Sequence, residues 1–295
     1  MRNNNNVRGD DDAARDLALA AALAVAWVNP AAAAEACNRA CLKGMVDAYL
    51  AALLKHSPDG LPLSSKVRFT EDMKDMKLGE GLWKGASKIR PYRQDFIDPR
   101  TGQAGAHVIV EENGQPVLLA LRLKVADRKI TEVETQVSRN RAEGVIFDLD
   151  GLVAPQPLMN RLPTAAERNS RDQLIKVAGS YPAGLKANSF VTAPFAEDAY
   201  RLENGSWMAG DNCTRNPACK VMRTQPLGSG PRPGFQDRLI LVDEEQQIVW
   251  HRMSWARGEG TRLVVWEAFK VLGGKLVGVE AFMRLAPLAS TSGWG

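Results

Sequence analysis

Two side chains in the last third of the chain have the types and spacing for acid–base chemistry. In Thr261–Leu272 the alternation puts Leu263, Val265, Glu267 and Phe269 on one face of a strand, so Glu267 is a lone carboxylate in an apolar row. On the run before it, Val249, His251, Met253 and Trp255 share a face, with His251 the single titratable group. An apolar wall raises a carboxylic acid's pKa into the range where it can trade protons near neutrality. A histidine titrates at about 6.5 without help. The expected pair is His251 as general base, with Glu267 orienting it or acting as the acid. Arg201 would steady an anionic oxygen as charge develops. Tyr181, Tyr200, Glu203 and Trp255 are the expected substrate-binding neighbours.

Other chemistries lack their residues. No glycine-rich loop opens a helix, so no nucleotide cofactor is expected. No H-x-x-x-H, H-E-x-x-H or paired C-x-x-C is present, so no metal is expected. The G-x-S-x-G elbow of serine hydrolases is absent. The net charge is +4, with no run of five basic residues, which argues against nucleic acid as a partner.

Something must position these residues, and it occurs twice. VRFTEDMKDMKLG (67–79) matches APFAEDAYRLENG (193–205), setting Phe69-Thr70-Glu71-Asp72 over Phe195-Ala196-Glu197-Asp198. LKVADRKITEVE (123–134) matches FKVLGGKLVGVE (269–280), setting Val133 over Val279 and Leu121 over Glu267. The two blocks are unequally spaced, so the second copy carries an insertion, placed at Asp211–Gly234. Each copy opens with an amphipathic helix. One starts near Cys41 with Leu42, Val46, Tyr49 and Leu53 on a face. The other starts near Ser170, with Leu174, Ala178 and Tyr181, and Pro182 is expected to end or kink it. Strands follow, punctuated by Asn113-Gly114 and Gly273-Gly274 turns. The fold class is α+β: two tandem cone-shaped repeats, each with helices packed on a curved antiparallel sheet. The first spans 35–140 and the second 170–287, with a linker at 141–169 and a tail at 288–295. His107, at a strand start in copy one, is expected to be exposed.

This order of elements resembles the SnoaL-like and ketosteroid-isomerase-like cones of the nuclear-transport-factor-two-like superfamily. It is closer still to tandem proteins of an uncharacterised family, through Cys37–Cys41-Leu42, Asp47-Ala48-Tyr49-Leu50-Ala51-Ala52-Leu53, Arg68-Phe69-Thr70-Glu71, Gly79-Glu80-Gly81-Leu82-Trp83 and Ala120–Val125. The resemblance implies a pocket between helix and sheet in each copy. With the residues above, it points to a cofactor-independent lyase or isomerase that acts on a small organic or sugar-derived substrate in the second cone. The alternatives are a small-molecule binding protein and an epoxide hydrolase, the latter needing two carboxylates on one wall. A homodimer is a further expectation.

Val145–Gly151, VIFDLDG, resembles the nucleophile strand of haloacid-dehalogenase-type phosphatases, with Asp148 as nucleophile and Asp150 as acid. That strand belongs near the start of a parallel sheet. Here it falls in the seam between two antiparallel copies, so it is read as linker.

Near the start of the chain lies Leu17–Val28, twelve apolar residues without a charge. That is too short to span a membrane and fits the core of a signal peptide at 1–34, with A-x-A cleavage after Ala34 or Ala36. A periplasmic or secreted protein follows. Cys37, Cys41, Cys213 and Cys219 are then expected as disulfides rather than a zinc site, with the pairing left open.

Overall fold

The computed structural model describes residues 36–225 and 232–294. The expected signal peptide and part of the expected insertion lie outside the described residues. Helix α1 (Arg39–Leu54) is capped by the Asn38 side chain, which accepts from the Cys41 amide. The strands β1 (Leu63–Glu71), β2 (Lys74–Met76), β3 (Ala86–Asp98), β4 (Gln103–Glu112), β5 (Gln115–Ala126) and β6 (Lys129–Ser138) form one six-stranded sheet, ordered β2-β1-β6-β5-β4-β3. Two short helices, α2 (Arg141–Gly144) and α3 (Pro157–Asn160), lie in the connector.

The plan then repeats. Helix α4 (Arg171–Ala187) begins in a capping box of Ser170 and Gln173 and ends at Asn188, which takes the left-handed conformation. Of the two outcomes expected at Pro182, it does not end the helix, which runs on to Ala187 with the ring buried. Strands β7 (Phe195–Glu203), β8 (Ser206–Ala209), β9 (Gln236–Asp243), β10 (Ile248–Ala256), β11 (Thr261–Leu272) and β12 (Lys275–Pro287) give the order β8-β7-β12-β11-β10-β9. In each sheet the first strand runs parallel to the last, β1 with β6 and β7 with β12, and every other pairing is antiparallel. This is the tandem α+β architecture the sequence implies. The VIFDLDG segment forms no strand.

The register corrects the repeat alignment. Asp72 and Asn204 both have positive φ, and each donates its amide to the last strand of its sheet, at the carbonyls of Thr135 and Ala281. Each side chain then accepts the next exposed amide of that strand, from Val137 at 2.9 Å and from Met283 at 2.8 Å. Glu71 is therefore the counterpart of Glu203, not of Glu197, and Phe69 that of Arg201. The F-x-E-D match was local coincidence. The hydrogen-bonding duty, not the residue letter, is what the copies share.

The inner face of each sheet packs on its own helix, making two separate cores. The outer faces pack on each other in a third core built around Phe96, Trp250, Trp266 and Phe282. At its centre His107 is fully buried, stacked on Phe282 at 4.3 Å, and accepts a hydrogen bond from the Trp250 indole at 3.2 Å. Burial pushes its pKa down to about 3, so it is neutral. The exposed strand end expected for His107 is thus wrong, because its apolar neighbours face a second sheet rather than water. Gly105 is required here: a Cβ would lie 2.5 Å from the Trp250 ring.

A reciprocal clamp closes the rim of this interface. Arg39, first residue of α1, holds Asp243 in β9 at 2.7 Å, and Asp243 also accepts the Ile97 amide of β3 at 2.9 Å. Arg171, first residue of α4, holds Asp98 in β3 at 2.6 Å, and Asp98 accepts the Val242 amide of β9 at 3.1 Å. Each aspartate is buried and answers to the other copy. Such an arrangement is self-complementary, like a two-fold dimer interface inside one chain.

The disulfides are Cys37–Cys41 and Cys213–Cys219, which fits an oxidising compartment. No helix among the described residues is long and apolar enough to cross a membrane.

Burial alone would raise the Asp98 pKa, but the hydrogen bonds from Arg171 and Val242 outweigh it and leave the carboxyl below its ordinary value. Its stabilisation is complete above the unfolded carboxylate range, about pH 4, and is lost as pH falls through the folded value. Asp98→Asn should lower the unfolding free energy by about 3 kcal/mol near neutrality. The gap to wild type should narrow below about pH 4. Urea denaturation at several pH values measures both, and a gap that stays constant with pH would refute the linkage.

Candidate functional site

β10 and β11 run antiparallel with His251 directly opposite Glu267. Directly opposed residues share a face, and this face turns inward, toward α4, with Val249, Met253, Val265 and Phe269 in the second core. Above Glu267 lies a cavity of about 420 Å³, within the range of small-molecule sites. Its floor is Leu263, Val265 and Glu267 from β11, and Met283 from β12. Its walls are Tyr181 and Leu185 from α4, and Arg201 and Glu203 from β7. The connector adds Val145 and Ile146, and the disulfide loop adds Arg215, Asn216 and Cys219. Met208, Trp255, Arg141, Arg232 and Arg257 complete the lining.

Tyr181, Arg201, Glu203, Trp255 and Glu267 thus converge as expected of a site. Two expected members do not join them. Tyr200 alternates with Arg201 and so points to the outer face, where its hydroxyl donates to Glu280 at 2.7 Å, opposite a matching bond from Tyr92 at 2.8 Å. It is an interface residue. His251 is buried but does not line the cavity. Its Nδ1 is 2.7 Å from the Asp237 carboxylate, its ring meets Phe269 edge-on, and its Nε2 has no hydrogen-bond partner.

Glu267 is the anomalous group. Burial pushes its pKa up to about 8; Arg201 pulls it down in part, while Glu203 and Asp237 add to the rise. No hydrogen bond contributes to the shift. Arg201 is buried as well, which on its own would lower its pKa, but the Glu203 charge and the other anions around it keep it above the ordinary value. Both Nε and Nη2 of Arg201 bond Glu203, and Nη1 bonds Gln225. The site therefore pairs a neutral acid with a fixed cation, on an apolar floor.

The first cone has the same frame with the space filled. Leu121 replaces Glu267 and Phe69 replaces Arg201, while Tyr49 and Glu71 keep the places of Tyr181 and Glu203. A short turn, Gly81–Lys84, enters between helix and sheet and buries Leu82 and Trp83. The Trp83 indole donates to the Tyr49 hydroxyl at 3.1 Å, and both Glu71 carboxylate oxygens accept the Leu82 amide, at 3.0 and 3.2 Å. The His56 ring bonds the Trp83 carbonyl. Gly81 must be glycine, since its φ is positive and a Cβ would strike the Glu71 carboxylate. In the second cone the corresponding stretch is the Cys213–Cys219 loop, which borders the cavity rather than filling it.

The connector's share was not foreseen. Val145 and Ile146 belong to the linker between the copies, yet Asn204 Nδ2 donates to the carbonyls of Gly144 and Ile146 and pins the segment beside β7. The sequence signal was the consecutive Val-Ile-Phe run at the start of the linker.

Residues 167–283 match the model of a domain of unknown function (DUF8021). This is the second copy, from just before α4 into β12. Among solved structures, similarity is found to a de novo designed protein with a curved β-sheet, at 22% identity and a TM-score of 0.30, covering 34% of this chain and 88% of that one. It is also found to an NTF2-like protein of unknown function from Cytophaga hutchinsonii ATCC 33406, at 12% identity and a TM-score of 0.27, covering 33% and 89%. No curated protein matches.

The raised Glu267 pKa has a thermodynamic consequence. In the unfolded chain the group ionises near 4.3, whereas the folded protein holds it protonated to about 8. Stability tied to this group is therefore full below about pH 4 and declines up to about pH 8. Glu267→Gln should raise Tm more at pH 8 than at pH 5. Equal shifts at both pH values, in calorimetry on the full chain, would show Glu267 to be ionised in the fold.

Proposed function

We propose that the second cone is the site of a cofactor-independent lyase or isomerase of small carbonyl compounds. The observation that carries this reading is Glu267, a carboxyl buried in an apolar floor, facing a cavity and lifted to about 8. Such a group can take a proton from carbon and return it at another atom. Arg201 is fixed by Glu203 beside it and would stabilise the enolate oxygen as charge develops there. The base is thus Glu267, while His251 is bonded to Asp237 and does not line the cavity. Glu203 lines the cavity too, but it is neutralised by Arg201, so the two free carboxylates an epoxide hydrolase requires are not on offer. Export to an oxidising compartment is part of the same proposal and rests on the two disulfides.

The test is proton exchange next to a carbonyl in deuterated water, followed by proton NMR on phenylpyruvate and on 2-oxobutanoate. Exchange above background should rise with pH to a plateau beyond about 8, as Glu267 ionises. Glu267→Gln should cut it by ~10²–10⁴-fold, with the circular dichroism spectrum kept. His251→Ala should cost less than Glu267→Gln. Full exchange in Glu267→Gln would overturn the assignment, and ligand binding without any exchange would favour a binding protein.

A further inference from the structure

The plugged cone describes what the open one accepts. In the first, Trp83 belongs to the same core as Tyr49, Phe69, Leu119 and Leu121. Their counterparts in the second cone, Tyr181, Arg201, Val265 and Glu267, surround the cavity. The fold thus offers one volume twice. In one copy a planar, bicyclic side chain fills it, edge-on to the helix tyrosine with ring centroids 5.2 Å apart and an N–H donated to its hydroxyl. In the other copy no described side chain fills it, and it is bordered by cations: Arg141, Arg215 and Arg257 stand exposed at the rim. The carboxylates of the lining are fewer than its arginines, and one of them, Glu203, is committed to Arg201.

We infer that the ligand of the second cone is a planar ring bearing a carboxylate, its ring lying against Tyr181 as the Trp83 indole lies against Tyr49, and its carboxylate directed to the rim arginines. This rests on the reading of the second cone as a ligand site and narrows its substrate class. The ring gains its burial from Leu263 and Val265 on the floor. The carboxylate gains from a rim whose positive charges have no equivalent partner inside the cavity.

Calorimetric titration of the full chain with indole-3-carboxylate, indole and hexanoate tests it. Indole-3-carboxylate should bind at one site and at least tenfold more tightly than either of the others. Leu263→Trp, which fills the cavity from its floor, should abolish that binding. The double variant Arg215→Gln, Arg257→Gln should weaken indole-3-carboxylate at least tenfold and leave indole unchanged. Trp83→Gly should create a second site that takes indole with no preference for the carboxylate, since Phe69 and Leu121 stand there in place of Arg201 and Glu267. If that variant does not fold, the second-cone arms decide. Equal binding of hexanoate, or no binding of indole-3-carboxylate, would overturn the inference. Glu267-dependent exchange on 2-oxobutanoate with no binding of indole-3-carboxylate would overturn it and leave the proposed function standing.

Discussion

Two sheets can pack by their outer faces only if the edges of that interface are sealed, and in this protein Asp98 and Asp243 seal it. Each is a buried carboxylate that would be costly alone. Each is satisfied by a guanidinium from the first turn of a helix and an amide from the opposite copy's edge strand. The helix that covers each inner face is thereby tied to the strand that forms the shared one. Charge at the rim and aromatic packing at the centre divide the work: the Trp250, Phe96 and Phe282 cluster supplies area, and the aspartates fix how the copies are turned. A neutral His107 fits among the rings because its one filled bond comes from an indole N–H.

With both outer faces committed, the inner faces diverge between the copies, and they vary in opposite senses. The first has spent its cavity on Trp83, locked by Tyr49, Glu71 and His56. The second keeps the cavity, and puts a carboxyl and a guanidinium where the first has Leu121 and Phe69. The frame is conserved in the physical sense: Asp72 and Asn204 do the same hydrogen-bonding job with different chemistry.

Periodicity made the helices, the strands and the one-faced row of Glu267 legible, because each follows from the side-chain direction along one element; the parallel pairing of the first strand with the last in each sheet does not follow from it. The turn pairs Asn113-Gly114 and Gly273-Gly274 marked hairpins for the same local reason. Three things were not legible. The F-x-E-D alignment failed because three matching letters outweighed the hydrogen-bonding role of Asp72, which only pairing reveals. Tyr200 was grouped with Arg201 as a neighbour in sequence, though adjacent strand residues face opposite ways. His107 looked like a strand end because nothing in one copy's sequence tells that a second sheet covers it.

The connector carries one more consequence. Val145 and Ile146 belong to neither copy by repeat, yet they wall the second cone's cavity, held there by Asn204. They also lie outside residues 167–283, the stretch matched as a domain. The unit that was duplicated and the unit that encloses a ligand are therefore not the same length of chain. A second cone cut out at the repeat boundary would keep its whole sheet and helix and lose a side of its chamber. Fusion of the copies is in this sense one-way: with the seam part of the wall, the second half cannot be separated with its chamber intact.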